Sequence, residues 1–144
     1  MTLVMTRADM NAFLDKVFPE VKDDFRVDAV SEEELVLRLI VGPQHLRPGG
    51  TVSGPAMFGL ADVTAYLVTL ARIGPRALAV TTNCSIDFMR KPAAGKDLLG
   101  KGRLLKLGKQ LSVSDVLLFS EGIAAPVARA SLTYAIPPQG VDLA

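Results

Sequence analysis

Three side-chain types in this chain have both the chemistry and the setting to act on a substrate, and each occurs once in such a setting. Asp62 stands in the middle of the run from Ala56 to Ala71, which is otherwise almost wholly apolar. An ionisable carboxylate buried without partners costs several kcal/mol, so this one needs a reason. It either faces a local wet gap or a neighbouring backbone group, or it works, since perturbed carboxylates concentrate at active sites. His45 is the sole histidine and lies in a loop rich in Gly and Pro; Cys84 is the sole cysteine and lies on the apolar side of a strand-like run. One histidine and one cysteine cannot assemble the usual zinc sites, and a single cysteine forms no intrachain disulfide. Both facts suit a reducing, cytoplasmic setting, with no metal and no redox cofactor required.

Charge and hydropathy bound the partners. Sixteen Lys and Arg against fifteen Asp and Glu give a net charge of +1, too little for a sustained field that would hold nucleic acid. Arg7, Asp9, Asp15 and Lys16 interrupt the start of the chain, so no secretory apolar segment is expected there. The Ala56 to Ala71 run falls short of the ~20 apolar residues that cross a bilayer and reads as a buried helix, not a membrane anchor.

The elements that must position these residues follow from patterning. Thr6 with Asp9 forms a capping-box-like start and Met5 with Met10 a hydrophobic staple, which predicts a short helix to Phe18, before Pro19, that covers an edge. Phe25, Val27 and Ala29, then Leu35, Leu37, Leu39 and Val41, alternate as two strands of a hairpin. The stretch from Gly42 to Gly50 is an irregular loop. Ser53 is a good N-cap and Pro55 is tolerated in a first turn, so one long helix begins there and ends near Gly74-Pro75. Its apolar residues point in nearly all directions, which describes a helix surrounded by protein. Four strand-like runs follow with no helix between them: Leu78 to Arg90, Leu98 to Leu107, Leu111 to Ser120 and Ala124 to Ile136. In the first, Leu78, Val80, Cys84, Ile86 and Phe88 share one face, and Thr81, Asn83, Ser85 and Asp87 the other. That order predicts an α+β fold in which one antiparallel sheet wraps one central helix. The whole chain forms a single domain, with its core at about residues 20–137 and a loose tail from Pro137 to Ala144.

The segment HLRPGGTVSGPAMFGLAD, from His45 to Asp62, resembles the signature of hotdog-fold acyl-CoA thioesterases of the phenylacetate-degradation type. In that signature His-x-Asn-x-x-Gly-x-x-His-Gly-Gly precedes a catalytic Asp by six residues, and His45, Gly50, Gly54 and Asp62 match with the spacing kept. IDFMRKPAAG, KLGKQLSVSDVLLFSEG and VARASLTYAI are similar to later strands of the family, so the resemblance covers about residues 20–137. It implies that Asp62 acts as general base or nucleophile on a thioester and that the Gly54 N–H polarises the carbonyl. A helix N-terminus, with its free N–H groups and partial positive charge, suits a developing oxyanion. Thr81 aligns with a Ser or Thr that orients water in relatives. Arg47, Ser53 and Pro55 depart from the family pattern, replacing its Asn, second His and second Gly. Arg47 then either takes the place of the Asn near the carbonyl or binds an acidic acyl group. Arg90, Lys91, Lys106 and Lys109 are expected to cluster at strand ends, where they meet the phosphates of coenzyme A or are simply solvated. The expected substrate is a small-molecule acyl-CoA thioester.

Gly54 and Asp62 lie eight residues apart, about 12 Å along one helix, so one thioester carbon cannot touch both. If both act, Gly54 of one subunit meets Asp62 of another across a two-fold axis, in a homodimer or homotetramer. Two rival readings remain. A hotdog dehydratase would pair an active His with a carboxylate, but the only His lies in a loop. An acyl-CoA-binding module without turnover would account for the altered motif at Arg47 and Ser53.

Overall fold

The structure is a computed structural model, and it describes residues 2–138. Its elements run α1 (Arg7–Val17), β1 (Phe25–Val30), β2 (Leu35–Leu39), α2 (Gly54–Ile73), β3 (Val80–Phe88), β4 (Leu98–Leu107), β5 (Leu111–Ser120) and β6 (Ala128–Ala135), with 3₁₀ turns at Pro19–Val21 and Pro43–His45. The strands form one antiparallel sheet in the order β1-β2-β4-β5-β6-β3. The expected architecture is therefore present: two helices, one of them central, and six strands. Strands β3 and β6 are shorter than the runs Leu78 to Arg90 and Ala124 to Ile136 that patterning marks, and the tail beyond Pro138 lies outside the described residues.

The start of α1 is closed by reciprocal bonds, Thr6 N–H to Asp9 Oδ2 at 2.9 Å and Asp9 N–H to Thr6 Oγ1 at 3.1 Å, with Met5 and Met10 both buried. The helix does cover an edge. The side-chain amide of Asn11 donates to Val27 O at 3.1 Å and accepts from Val27 N–H at 2.8 Å, completing the outer strand β1 where its pairing with β2 shifts register.

Helix α2 lies close against β4 because two inward positions of that strand carry no side chain. A Cβ at Gly100 would collide with the Thr64 hydroxyl, and one at Gly102 would fall 2.7 Å from Thr64 Cγ2. Thr64 is fully buried and returns its hydroxyl to Leu60 O at 2.6 Å, so nothing polar is left unmet. With Leu60 and Thr64 against β4, Asp62 is carried to the far side of the helix, toward β6 and β3. Leu60, Leu67 and Leu70 pack inside the sheet with Leu37, Leu98, Leu118 and Leu132.

Two expectations are corrected. The twenty residues of α2 are long and apolar enough to cross a membrane by length and composition, rather than too short; what marks it as a core helix is the sheet wrapped around it. Nor is it enclosed on all sides: Pro55 and Phe58 are exposed, and Gly59 and Asp62 half-buried, leaving one stripe open at helical spacing.

Candidate active site

The loop before α2 is held by backbone bonds and one imidazole. His45 Nδ1 accepts from Gly42 N–H at 2.9 Å, and its Nε2 lies 3.3 Å from Asp24 Oδ1. The carbonyl of His45 accepts from Ser53 N–H at 2.8 Å. The sole histidine is thus a loop hydrogen-bonder, both ring nitrogens being occupied. Between its ends the loop turns back on itself through Arg47 N–H to Thr51 O at 2.9 Å and Gly50 N–H to Arg47 O at 3.0 Å. Gly50, a position that matches the motif, has φ +84°, which a residue with a Cβ adopts only at a cost.

This loop delivers Ser53 as the N-cap of α2, its Oγ accepting from Ala56 N–H at 3.2 Å while Met57 N–H bonds Ser53 O at 3.0 Å. Pro55 has no N–H. Among the described residues, the first-turn donor left without a hydrogen bond is Gly54 N–H, so Pro55 leaves the expected oxyanion donor intact. Ser53→Ala should lower stability by about 1 kcal/mol, read as a drop in denaturant midpoint, because the Ala56 N–H loses its acceptor.

Gly54 opens onto a cavity of about 380 Å³, whose walls include Met57, Phe88, Arg47, Arg90 and Lys91. The Phe88 ring lies over Gly54, its Cζ 3.7 Å from where a Cβ would stand. Among the described residues, three cations and no carboxylate line this cavity at a helix N-terminus, an arrangement suited to anions. Lys106 and Lys109 do not join them. Lys106, at the end of β4, and Lys109, in the β4–β5 turn, lie toward the Val80 end of β3, since Leu111 and Val80 both pair with Ala135; Arg90 and Lys91 follow its Phe88 end. The four cations are two separated pairs, because antiparallel strands put successive turns at opposite ends of the sheet.

Asp62 sits apart from that cavity, among hydroxyls. Its Oδ1 accepts from Thr81 Oγ1 at 2.5 Å and from Tyr134 OH at 2.7 Å, and the Tyr134 oxygen is also 3.0 Å from Asp62 O. Its Oδ2 makes no hydrogen bond among the described residues. Thr81 reaches it because β3 is not regular. Thr81 pairs with Tyr134 and Asn83 with Thr133, so Thr82 is an extra residue, and the bulge turns Thr81 to the same side as Cys84 and Ile86. The strict alternation expected from sequence put Thr81 on the opposite face. Its hydroxyl, expected to orient water, donates its proton to Asp62.

Tyr134 stands on β6 in line with buried Ala130 and Leu132, where alternation alone makes it one more core position. The signal for more was its phenol, which needs a partner when buried. Its ring stacks at a tilt on Tyr66, 5.9 Å between centroids, and Tyr66 OH bonds Ala77 O at 2.9 Å. Burial first, and then the nearby Asp62 charge, push the Tyr134 phenol well above its ordinary pKa, so it stays a donor. Burial, then Asp62, also push the Cys84 thiol up, which makes it a poor nucleophile.

One antiparallel sheet curled round a single long helix is the hotdog fold. Residues 49–127 match the thioesterase superfamily, and the chain belongs to it. It is 31% identical over 97 residues to the acyl-coenzyme A thioesterase PaaI of Escherichia coli K12, covering 66% of this chain and 67% of that one. A solved protein of Silicibacter sp. TM1040 assigned as a thioesterase shares 58% identity and superposes with a TM-score of 0.90, over 96% of each chain. Zebrafish thioesterase superfamily member 2 shares the fold at 20% identity, with a TM-score of 0.81 over 92% of this chain and 99% of that one.

Proposed function

We propose that the protein hydrolyses a small-molecule acyl-CoA or related thioester to free acid and thiol, in the cytoplasm, at a site shared by two copies of the chain. The observation that carries this is the layout of β3. It is a sheet-edge strand of nine residues with no neighbour on its outer side among the described residues, and Val80 and Phe88 are exposed along it. The open stripe of α2 runs beside it. An edge of this kind is a template for a second copy. Antiparallel pairing of two β3 strands about a two-fold axis brings the Val80 end of one against the Phe88 end of the other. Asp62 is tied to Thr81 at the first end, and Gly54 lies under Phe88 at the second. The two residues that one chain holds apart then meet twice per dimer, whether the assembly is a dimer or a dimer of dimers.

In this reading the free oxygen of Asp62 takes a proton from water as the water oxygen bonds to the thioester carbon. The charge developing on the carbonyl oxygen falls on the Gly54 N–H of the partner subunit. Collapse of the tetrahedral species breaks the C–S bond, and the departing thiolate recovers the proton from Asp62. Arg47, Arg90 and Lys91 supply charge for the phosphates of coenzyme A. These steps require no metal or redox cofactor.

Steady-state release of free thiol from a panel of acyl-CoAs, with the mass in solution measured by light scattering, tests the proposal. Turnover by a particle of at least twice the chain mass of 15.3 kDa is expected. Tight binding without turnover would instead favour an acyl-CoA-binding module, and an active particle of single-chain mass would overturn the shared site.

A further inference from the structure

We infer that Tyr134 is a positioning residue for the reaction, fixing which oxygen of Asp62 meets the water; the inference rests on Asp62 being the base. Thr81 and Tyr134 face each other directly across β3 and β6, and both hydroxyls converge on the same carboxylate oxygen, at 2.5 and 2.7 Å. A carboxylate on a helix is otherwise free to turn about its terminal torsion, which has a broad profile. Two donors on Oδ1 stop that rotation and leave Oδ2 as the oxygen able to take a proton. The second contact of the phenol, 3.0 Å to Asp62 O, holds the hydroxyl over the helix turn that carries the side chain. Behind it, Tyr66 and then Phe13 continue a stack from β6 through α2 to α1, with centroids 5.9 and 6.3 Å apart, so the ring that aims the hydroxyl is itself held by packing. Thr81 stands on the edge strand and depends on the bulge for its aim, whereas Tyr134 stands on an interior strand paired on both sides. The phenol is therefore the fixed member of the clamp.

Tyr134→Phe keeps the ring and deletes one oxygen. We expect kcat to fall about tenfold, the scale of one hydrogen bond to a charged group, with KM changed less than about twofold because no substrate contact is lost. The Asp62→Asn/Tyr134→Phe double variant should be no slower than Asp62→Asn alone, since a residue that acts only through Asp62 has nothing left to position. Tyr66→Phe, which deletes a phenol of the same stack bonded to Ala77 O, serves as the packing control and should leave kcat unchanged. A Tyr134→Phe enzyme with normal kcat, one that fails to fold, or losses that add in the double variant would each overturn the positioning role. If instead Asp62→Asn keeps full turnover, it is the assignment of the base that fails.

Discussion

Asp62→Asn is expected to lower turnover by about 10²-fold or more, the scale of a lost general base, while the melting temperature stays level or rises. The structure separates these two effects. Asn keeps an oxygen where Oδ1 stands, so the Thr81 and Tyr134 hydroxyls retain their acceptor. What is lost is the charge and the second oxygen, the one left unbonded. Replacing a carboxylate by an amide in an apolar helix also lifts a desolvation cost from the folded state. Thiol release and thermal melting measured on one preparation decide the matter: retained turnover with a lowered melting point would make Asp62 a structural group. Single turnovers in ¹⁸O-water should label the product acid and not Asp62; label in the side chain would make it a nucleophile.

The second large effect is expected at Gly54. Gly54→Pro removes the unbonded N–H, and it also sets a ring before Pro55, which disfavours the helical backbone at the preceding residue, so the melting temperature should fall somewhat as well. Pro is favoured at the first position of a helix, Ser53 before it already has the extended backbone that Pro demands, at φ −75° and ψ 158°, and an added Cβ would be in ordinary contact with Phe88 at 3.7 Å. Turnover should fall by about 10²–10³-fold with the fold retained, the loss typical of one oxyanion donor. Coexpressing this variant with Asp62→Asn gives mixed dimers in which one site combines the intact Asp62 of one chain with the intact Gly54 of the other. Random pairing should restore about a quarter of wild-type turnover. Mixtures no faster than either parent would mean that the two residues do not share a site across subunits.

Most of the fold was legible because its signals are local. The capping box at Thr6 and Asp9, the Ser53 cap, the boundaries of β4 and β5, and the order of strands after α2 all followed from neighbouring residue types. The half of the candidate site on α2 was legible too, since Asp62 interrupts an apolar run and Gly54 begins a helix. The half on the sheet was less so: the family resemblance singled out Thr81, but residue alternation put it on the wrong face, and neither marked Tyr134 as a site residue. Thr81 reaches Asp62 only through an irregularity that a period of two cannot express, and Tyr134 meets it from 72 residues away in the chain. The basic residues misled for a related reason: Arg90 and Lys109 are close in sequence, but an intervening strand carries them to opposite ends of the sheet.

The bulge in β3 has a meaning of its own. Paired regularly with the same residues, β3 would set Thr82 rather than Thr81 opposite Tyr134 and turn the Thr81 hydroxyl away from the carboxylate. The more regular strand would break the clamp. What brings Thr81 to Asp62 is thus where the strand carries its extra residue, between Thr81 and Cys84, as much as which residues stand there.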